Sequence, residues 1–344
     1  MRQADRSGIL LKRDIRRRQF LVLASAAAGS AAVAQTRAGP AAISGGVPGL
    51  LDDFLALPGT KSGQVDVDAV TDPWRVTHAP DVPLFCGSAF KTFVLATYLK
   101  EVEAGRLSEA EQLVIDDNVR SVGGGVFEHL SGSTEARNVL EAMIAHSDNT
   151  ATDVALARVG ADKVRAFIAE AGLRQTRIPD STRRFFSYLA GYPAGEDMGW
   201  KALQALQAGK SNGTPRSPVN GEETMVCPAA EFVSYYKRAL AGGFFEKKET
   251  LIEFKRIQGI ADAIALVVPQ DTAAYLKGGS IDWNGFHCLA VAGQMIVAAT
   301  PVTFCLILNW TDSDGEKAAV ETRYKQTVAE ILRRTRKQVV EPQT

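Results

Sequence analysis

The sequence is poor in the residues that build metal centres and disulfide frameworks, with four cysteines and four histidines among 344 residues. The cysteines lie far apart in the chain and the histidines show no metal-ligand spacing, so we expect no metal, no cofactor and no dense disulfide framework. Neither sign of charge dominates, because 39 Lys and Arg balance 39 Asp and Glu. This balance argues against a nucleic-acid partner bound through its phosphates. What is present, 46% hydrophobic and 23% charged residues, is typical of a globular protein.

The first 34 residues differ from the rest in charge and hydropathy. They carry seven basic and two acidic residues, which leaves 32 basic and 37 acidic residues in the remainder. An apolar run, Phe20 to Ala34, follows the basic residues and is too short for an ordinary bilayer span. The run RRQFL at 17–21 resembles a twin-arginine export signal. We therefore expect a signal peptide over 1–34, a flexible linker over 35–47, and a periplasmic or extracellular protein without a membrane span after cleavage.

The order of strand and helix patterns along the rest of the chain predicts the fold class. Strand patterns lie near both ends and helical periodicity occupies the middle: strands at 64–70, 74–78, 273–281, 286–298 and 302–310, helices at 88–104, 134–146, 150–159 and 162–171. We predict an α+β fold over 48–335, with an antiparallel sheet of about five strands flanked by helices and built from both chain ends, plus an inserted all-helical domain. The sheet subdomain would comprise about 48–86 and 224–335, and the helical subdomain about 87–223. A cleft between them is expected to hold the site.

A serine and a lysine three positions apart are the first candidates for chemistry. Ser88 and Lys91 share one face of a predicted helix, so the amine can reach the hydroxyl and accept its proton. The spacing alone is weak evidence, since Ser234 and Lys237 repeat it. Ser88 follows a glycine at a helix start, where unpaired amides favour a developing anion, whereas Ser234 lies within a helical run. We therefore interpret Ser88 as functional and Ser234 as a surface residue.

Two further motifs follow in a fixed order along the chain. SDN at 147–149 lies in a break between predicted helices, and KGGS at 277–280 lies on a predicted strand. This ordered set resembles that of class A β-lactamases and penicillin-binding proteins, the penicillin-recognising serine hydrolases, and class A most closely. The flanking runs LKEVEAGRLS at 99–108 and AMIAHSDNTA at 142–151 extend the likeness. It covers most of residues 50–335.

The resemblance implies a serine hydrolase that opens a β-lactam amide through an acyl-enzyme on Ser88. Lys91 would accept or relay the serine proton, and Ser147 would pass a proton to the departing nitrogen. The backbone amides of Ser88 and Ser280 would bind the oxyanion. The other residues that the resemblance assigns face the substrate: Lys277 its carboxylate, Asn149 its amide side chain, and Gly279 and Ser280 the strand edge along which it binds.

The implied partner is a small molecule, either a β-lactam or a peptide that ends in D-alanyl-D-alanine, and we expect a monomer. β-Lactam hydrolysis, as in β-lactam catabolism and antibiotic resistance, is the first hypothesis. A D-alanyl-D-alanine peptidase or an esterase is the second. The third comes from another class: a β-lactam-binding or sensing protein that is acylated and stays acylated.

The loop that serves deacylation departs from the family pattern. Class A β-lactamases carry a glutamate there, but residues 179–188 contain a single acid, Asp180, and no glutamate. Slow deacylation follows unless an acid from the long loop at 190–223 folds back to activate water. The acids of that loop are Glu196, Asp197, Glu222 and Glu223.

Two smaller features of the sequence also bear on the site. Gly278 stands where threonine is usual in the third motif, which removes a hydroxyl that would help to bind the substrate carboxylate. Ser280 offers a replacement. Arg183 and Arg184 are expected on a solvated face of the loop rather than against an anionic substrate.

Overall fold

The computed structural model describes residues 43–44, 46–210, 213–312 and 315–341. The expected signal peptide and most of the expected linker lie outside the described residues. The strands are β1 (Ile43–Ser44), β2 (Thr60–Val67), β3 (Trp74–His78), β4 (Leu84–Phe85), β5 (Gln112–Ile115), β6 (Gly132–Glu135), β7 (Val226–Cys227), β8 (Ala273–Trp283), β9 (Phe286–Val297) and β10 (Thr300–Thr311).

The helices of the described residues include two short 3-10 turns, Gly87–Phe90 and Phe127–His129. The α-helices are α1 (Asp52–Leu55), α2 (Lys91–Glu103), α3 (Ala136–Ala145), α4 (Asn149–Val159), α5 (Ala161–Glu170), α6 (Thr182–Leu189), α7 (Trp200–Gln207), α8 (Ala229–Leu240), α9 (Lys248–Gln258), α10 (Ile264–Val267) and α11 (Lys317–Val340). Among the described residues, no helix combines the length and apolar character that crossing a bilayer requires.

One antiparallel sheet joins the two ends of the described chain. Its strand order is β1-β3-β2-β10-β9-β8, and the central pair brings Val67 of β2 opposite Val302 of β10. Five of its strands are long and β1 has two residues. The predicted α+β fold, with a sheet of about five strands built from both chain ends, is therefore confirmed.

Helices cover both faces of this sheet. All residues from Val302 to Trp310 are buried, and since neighbouring residues of a strand point to opposite faces, neither face is open to solvent there. On α11 the buried residues Val320, Tyr324 and Val328 recur at helical spacing, and the Tyr324 hydroxyl donates to the Leu306 carbonyl oxygen at 2.7 Å. Helix α8 packs against β9 and β10 as well.

The helical layer is organised around α2, which begins directly after the first 3-10 turn. Ten of its 13 residues are buried, because α3, α4, α5 and α9 surround it. Helix α9 therefore packs with the helical layer although it follows residue 224 in the chain. Arg256 of α9 makes an ion pair with Glu141 of α3 at 2.6 Å.

The sheet and the helical layer meet where β8 lies against the 3-10 turn Gly87–Phe90. A Cβ on Gly279 would lie 2.0 Å from the Cys86 carbonyl oxygen, and one on Gly87 would lie 2.6 Å from the Ser280 nitrogen. Gly87 also has a φ of +52°, which disfavours residues with a side chain. These two glycines let the edge strand reach the start of α2.

Local details differ from the sequence-based expectations. The helix expected over 88–104 begins as a 3-10 turn and becomes α-helical only at Lys91. Helix α1, over Asp52–Leu55, and helix α7, within the long loop at 190–223, lie outside the helical ranges predicted over 88–171.

Candidate active site

Lys91 is the central buried cation of the candidate site, with no exposed surface. Its Nζ donates to the Ser147 carbonyl oxygen and to Asn149 Oδ1, each at 2.7 Å, and lies 3.5 Å from Ser147 Oγ. The first turn of α2 thus contacts the segment between α3 and α4. The structure brings the first and second sequence motifs together through this one amine.

The surroundings of Lys91 favour its neutral form. Burial lowers the pKa of Lys91 well below its usual value, the charge of Lys277 lowers it further, and the carboxylates of Asp148, Asp153 and Asp262 oppose both effects. A neutral amine has two N–H groups and one lone pair, and the two carbonyl-type acceptors match the two N–H groups. The lone pair then remains available to accept a proton from a hydroxyl.

The second motif is held in an unusual backbone conformation. Ser147 has a φ of +57°, which residues with a side chain rarely adopt and which is often found at functional sites. Asp148 is buried and structural: one oxygen accepts from the Ala151 amide at the start of α4, and the other accepts from the amides of Val126 and Phe127. Asn149 donates its side-chain amide to the Val122 carbonyl oxygen at 2.7 Å.

The glycine-rich segment 123–125 packs against this motif. A Cβ on Gly124 would lie 2.6 Å from the Asp148 Cα, and the Asn149 amide donates to the Gly123 carbonyl oxygen. The segment therefore packs directly against the backbone of the second motif.

The third motif lies on β8, at the edge of the sheet. Lys277 is buried, and its Nζ donates to the Gly278 carbonyl oxygen at 3.0 Å. Burial lowers the pKa of Lys277 to about 8, and the carboxylate of Asp262 opposes that shift. Lys277 therefore remains mostly cationic at pH 7, whereas the pKa of Lys91 lies well below its usual value, and the two buried amines are suited to different tasks.

Two backbone amides converge at the contact between β8 and the 3-10 turn. The Cβ position of Gly279 is 2.9 Å from the Ser88 nitrogen, and that of Gly87 is 2.6 Å from the Ser280 nitrogen. Ser88 is partly exposed and Ser280 is exposed. This arrangement places both candidate oxyanion donors beside the candidate nucleophile, at a surface that substrate can reach.

The acids of the long loop are bound elsewhere. Asp180 pairs with Arg165 at 2.5 Å and with Arg184 at 2.9 Å; burial raises its pKa, but the two arginines outweigh burial and hold that pKa low. Glu223 is buried and accepts from the Asp180 amide, and burial raises its pKa. The exposed loop acids are Glu196, Asp197 and Glu222, of which Asp197 pairs with Arg183.

A polar cavity collects several of these loop acids away from the motifs. Asp180, Glu222 and Glu223 line it together with Arg165 and Arg177, and no residue of the three motifs borders it. In the described part of the chain, no loop acid hydrogen-bonds to Lys91, Ser147 or Asn149.

Arg183 corrects one expectation about this loop. Its side chain is 5% exposed, bonds to Asp197 at 2.5 Å, and donates to the backbone carbonyl oxygens of Asp117 and Arg120. The solvated face predicted for both arginines is therefore wrong for Arg183, because its guanidinium ties the loop to the body of the protein. Arg184 is exposed, as predicted.

Sequence reasoning missed a buried network at the start of α6. Asp153 accepts from the Thr182 amide at 2.6 Å and the Arg183 amide at 2.9 Å, so it caps α6 from a neighbouring helix. The Thr182 hydroxyl lies 2.8 Å from Asp153 Oδ2, 2.7 Å from the Ser121 hydroxyl and 3.5 Å from the Asn149 carbonyl oxygen. Burial raises the pKa of Asp153 to about 7, against those hydrogen bonds. One signal was available: Asp153 lies four residues after Asn149, on the same face of α4.

The cysteines and the second serine-lysine pair are further groups in the sequence with reactive side chains. Within the described ranges, no group of three or more His, Cys, Asp or Glu side chains could hold a metal ion. The cysteines at 86, 227, 288 and 305 are buried free thiols, and burial raises the pKa of each. Ser234, the second copy of the serine-lysine spacing, is exposed on α8, and Lys237 pairs with Asp66 at 2.7 Å.

The fold and this arrangement together define a serine hydrolase of the β-lactamase type. A sheet built from both chain ends, a helical layer, and serine and lysine side chains at their junction are its features. The chain belongs to the beta-lactamase enzyme family, whose model matches residues 52–250, more than half of the sequence. The matched residues include Ser88, Lys91 and Ser147, and Lys277 lies after them.

Solved structures with the same fold are distant in sequence. The chromosome-encoded β-lactamase of Vibrio parahaemolyticus is 18% identical, with a TM-score of 0.62, and the alignment covers 86% of this chain and 100% of that one. A β-lactamase from Chitinophaga pinensis is 16% identical, with a TM-score of 0.65 and coverages of 84% and 97%. PBP-A is 15% identical, with a TM-score of 0.62 and coverages of 83% and 96%. A comparison with curated proteins gives no match.

Proposed function

We propose that this protein is a class A β-lactamase-like hydrolase that opens β-lactam amides through an acyl-enzyme on Ser88 and releases the product slowly. The observation that carries the proposal is the state of Lys91. It is a fully buried amine with a lowered pKa whose two N–H groups are bonded to carbonyl-type oxygens at 2.7 Å. Such an amine can act as a general base at neutral pH.

Acylation uses the three motifs in sequence. The Ser88 oxygen bonds to the lactam carbonyl carbon while the serine proton passes to the Lys91 lone pair. The amides of Ser88 and Ser280 stabilise the oxyanion, a role in which one lost donor typically costs about 3 to 4 kcal/mol. As the carbon–nitrogen bond breaks, the proton moves from Lys91 through the Ser147 hydroxyl, 3.5 Å away, to the departing nitrogen.

Substrate binding uses the remaining motif residues. The Lys277 ammonium attracts the substrate carboxylate, Asn149 bonds the amide side chain, and the edge strand from Gly279 to Ser280 lies alongside the acyl group. Gly278 lacks the usual hydroxyl, and a Cβ there would lie 3.0 Å from the Ala263 Cβ, which is a tight contact. The exposed Ser280 offers a hydroxyl that replaces it in binding the substrate carboxylate.

Hydrolysis of the acyl-enzyme is expected to be slow because, among the described residues, no loop acid hydrogen-bonds to Lys91, Ser147 or Asn149. Helix α6 begins where the family carries its deacylating glutamate, and there the Thr182 hydroxyl lies 3.5 Å from the Asn149 carbonyl oxygen. A hydroxyl is a far weaker base than a carboxylate. Water attack on the ester is therefore expected to limit turnover.

The lack of a hydrogen-bonded loop acid among the described residues also supports a second candidate function. The protein would then be acylated by β-lactams and remain acylated. Such a protein would bind or sense β-lactams, and a D-alanyl-D-alanine peptidase would behave similarly toward penicillins. A mutant of PBP-A, one of the structural neighbours, is described as an acyl-enzyme complex with penicillin G. How long the Ser88 adduct lasts separates these functions.

Export and domain organisation complete the proposal. Residues 1–34 direct twin-arginine-type export to the periplasm or beyond, residues 35–47 link signal and fold, and residues 48–335 form one catalytic unit that works as a monomer. The basic run at 17–21 and the following apolar stretch support this view.

The test labels the purified protein with fluorescent penicillin and then chases the label with buffer. Wild type and Ser234→Ala should both be labelled, because Ser234 is an exposed copy of the same spacing, and Ser88→Ala should not. Label that persists for minutes supports slow deacylation. Rapid release identifies an efficient β-lactamase, and equal labelling of Ser88→Ala would remove the proposed nucleophile. A peptide that ends in D-alanyl-D-alanine then separates peptidase from sensor.

A further inference from the structure

Asp262 lies in the turn between α9 and α10, at a junction of the second and third motifs. Its amide donates to the carbonyl oxygen of Ala145, two residues before Ser147, at 3.1 Å. The next residue, Ala263, has its Cβ 3.0 Å from the Cβ position of Gly278. The turn therefore runs from the end of α3 to the strand that carries Lys277, and the Asp262 side chain is exposed there.

Asp262 differs from the other two acids that raise the pKa of Lys91, because its carboxylate accepts no side-chain hydrogen bond within the described residues. Three acids raise the pKa of that lysine, namely Asp148, Asp153 and Asp262. Asp148 and Asp153 are buried, and both oxygens of each accept hydrogen bonds. In the described part of the chain, no side chain bonds to the Asp262 carboxylate, although its charge acts on both Lys91 and Lys277.

The turn therefore brings an exposed carboxylate to the junction at which the buried Lys277 amine lies. Burial favours the neutral form of Lys91, Lys277 is mostly cationic at pH 7, and the Asp262 side chain is exposed. A substrate that carries only a carboxylate gains attraction from Lys277 and meets repulsion from Asp262. A substrate that also carries a positive charge beside its carboxylate is attracted by both residues, its carboxylate by Lys277 and its cation by Asp262.

We propose that Asp262 is a specificity-determining residue that selects zwitterionic β-lactams, with a cation near the ring carboxylate, over purely anionic ones. This inference rests on the proposed function, since it assumes that Lys277 binds the substrate carboxylate. In a cephalosporin, the carboxylate and the variable methylene substituent lie on adjacent ring atoms. A cation on that substituent is thus held within a few ångströms of the carboxylate bound by Lys277.

The test compares cephaloridine with cephalothin, which share their acyl side chain and differ in carrying a pyridinium or an acetoxy group on that methylene. The second-order rate of adduct formation on Ser88 is measured by intact mass for wild type, Asp262→Asn and Asp271→Asn. Asp271 is the matched control. It is an exposed aspartate between α10 and β8, roughly 20 Å along the chain from Lys277.

Asp262→Asn should lower the cephaloridine-to-cephalothin rate ratio about three- to tenfold, partly by speeding cephalothin, and Asp271→Asn should leave it unchanged. The two β-lactams differ in intrinsic reactivity, so only the change in ratio between variants is informative. Raising the salt concentration should shrink the wild-type ratio and leave that of Asp262→Asn unaffected, since Asp262 is exposed.

An unchanged ratio in Asp262→Asn overturns the inference. An equal rate change for both compounds does so as well, because Asp262 would then only tune the lysines. If wild type forms adducts with both compounds, the proposed function survives either result. If it forms none with either compound, the proposed function fails and this inference fails with it.

Discussion

Two regions of the molecule differ in whether their charged side chains form ion pairs. The motif region comprises residues 88–91, 147–149 and 277–280, and the loop region comprises residues 179–223. In the motif region, Lys91 and Lys277 are buried and bond to neutral oxygens. In the loop region, Asp180 and Asp197 are bonded to arginines. Burial without a hydrogen-bonded carboxylate lowers the pKa of both amines, whereas an ion-paired acid serves to hold a loop in place.

The largest effect should come from removing the amine of the motif region. Lys91→Met keeps most of the buried volume but has no base, so adduct formation on Ser88 should fall about 10²- to 10⁴-fold. Lys237→Met, at the second serine-lysine pair, is the matched control and should acylate like wild type. Intact-mass time courses with penicillin measure both. A Lys91→Met rate within tenfold of wild type would show that another group activates Ser88.

The next largest effect should come from giving the loop region a base. Thr182→Glu combined with Asp153→Asn places a carboxylate near Asn149 and removes the like charge that lies 2.8 Å from the threonine hydroxyl. Release of bound penicillin should become about 10- to 100-fold faster, because a carboxylate can activate water. Asp153→Asn alone is the control and should not speed release. Unchanged release in the correctly folded double variant would place the deacylation step elsewhere.

A smaller effect should follow from pH. The pKa of Lys277 is about 8, so its ammonium is largely present at pH 7 and largely lost at pH 9. The second-order acylation rate with an anionic penicillin should fall about tenfold over that interval. Lys277→Arg keeps the charge at both values and should flatten this limb. If Lys277→Arg falls as steeply as wild type, the limb belongs to another group.

The smallest effect on chemistry should come from loosening the loop region. Arg183→Ala removes a buried guanidinium and its bonds to Asp197 and two carbonyl oxygens, so the free energy of unfolding should drop by about 2 kcal/mol. The exposed neighbour gives the control: Arg184→Ala should change stability by about 0.5 kcal/mol or less. Denaturant unfolding measures both. Acylation rates should stay within about threefold of wild type, and a larger loss would mean that the loop supports the motif region directly.

Local pattern sufficed for much of the fold. The strand predicted over 286–298 is observed as Phe286–Val297, and that predicted over 74–78 is observed as Trp74–His78, because alternation and turn residues act over a few neighbouring positions. The three motifs are also local in sequence. The prediction that the three motifs lie together in the fold came from the family resemblance rather than from periodicity.

The parts that escaped prediction depend on partners distant in the sequence. Asp153 caps a helix that begins 29 residues later, and no local pattern marks a cap donated from another helix. Arg183 was expected in solvent because arginine usually is, and its burial depends on carbonyl oxygens more than 60 residues away. Asp262 has no distinguishing pattern in the sequence, and only the fold brings the turn that carries it against the end of α3 and the strand of Lys277.

The central claim is that acylation of Ser88 is fast and hydrolysis of the acyl-enzyme is slow. Measuring both steps with one β-lactam tests it most directly. Rapid-quench intact-mass measurements should show the Ser88 adduct of wild type forming within seconds of mixing with excess penicillin and persisting for minutes after the penicillin is removed. Steady turnover on the order of 10 per second without an accumulating adduct would contradict the account, because the loop region would then supply a base as effective as the motif region.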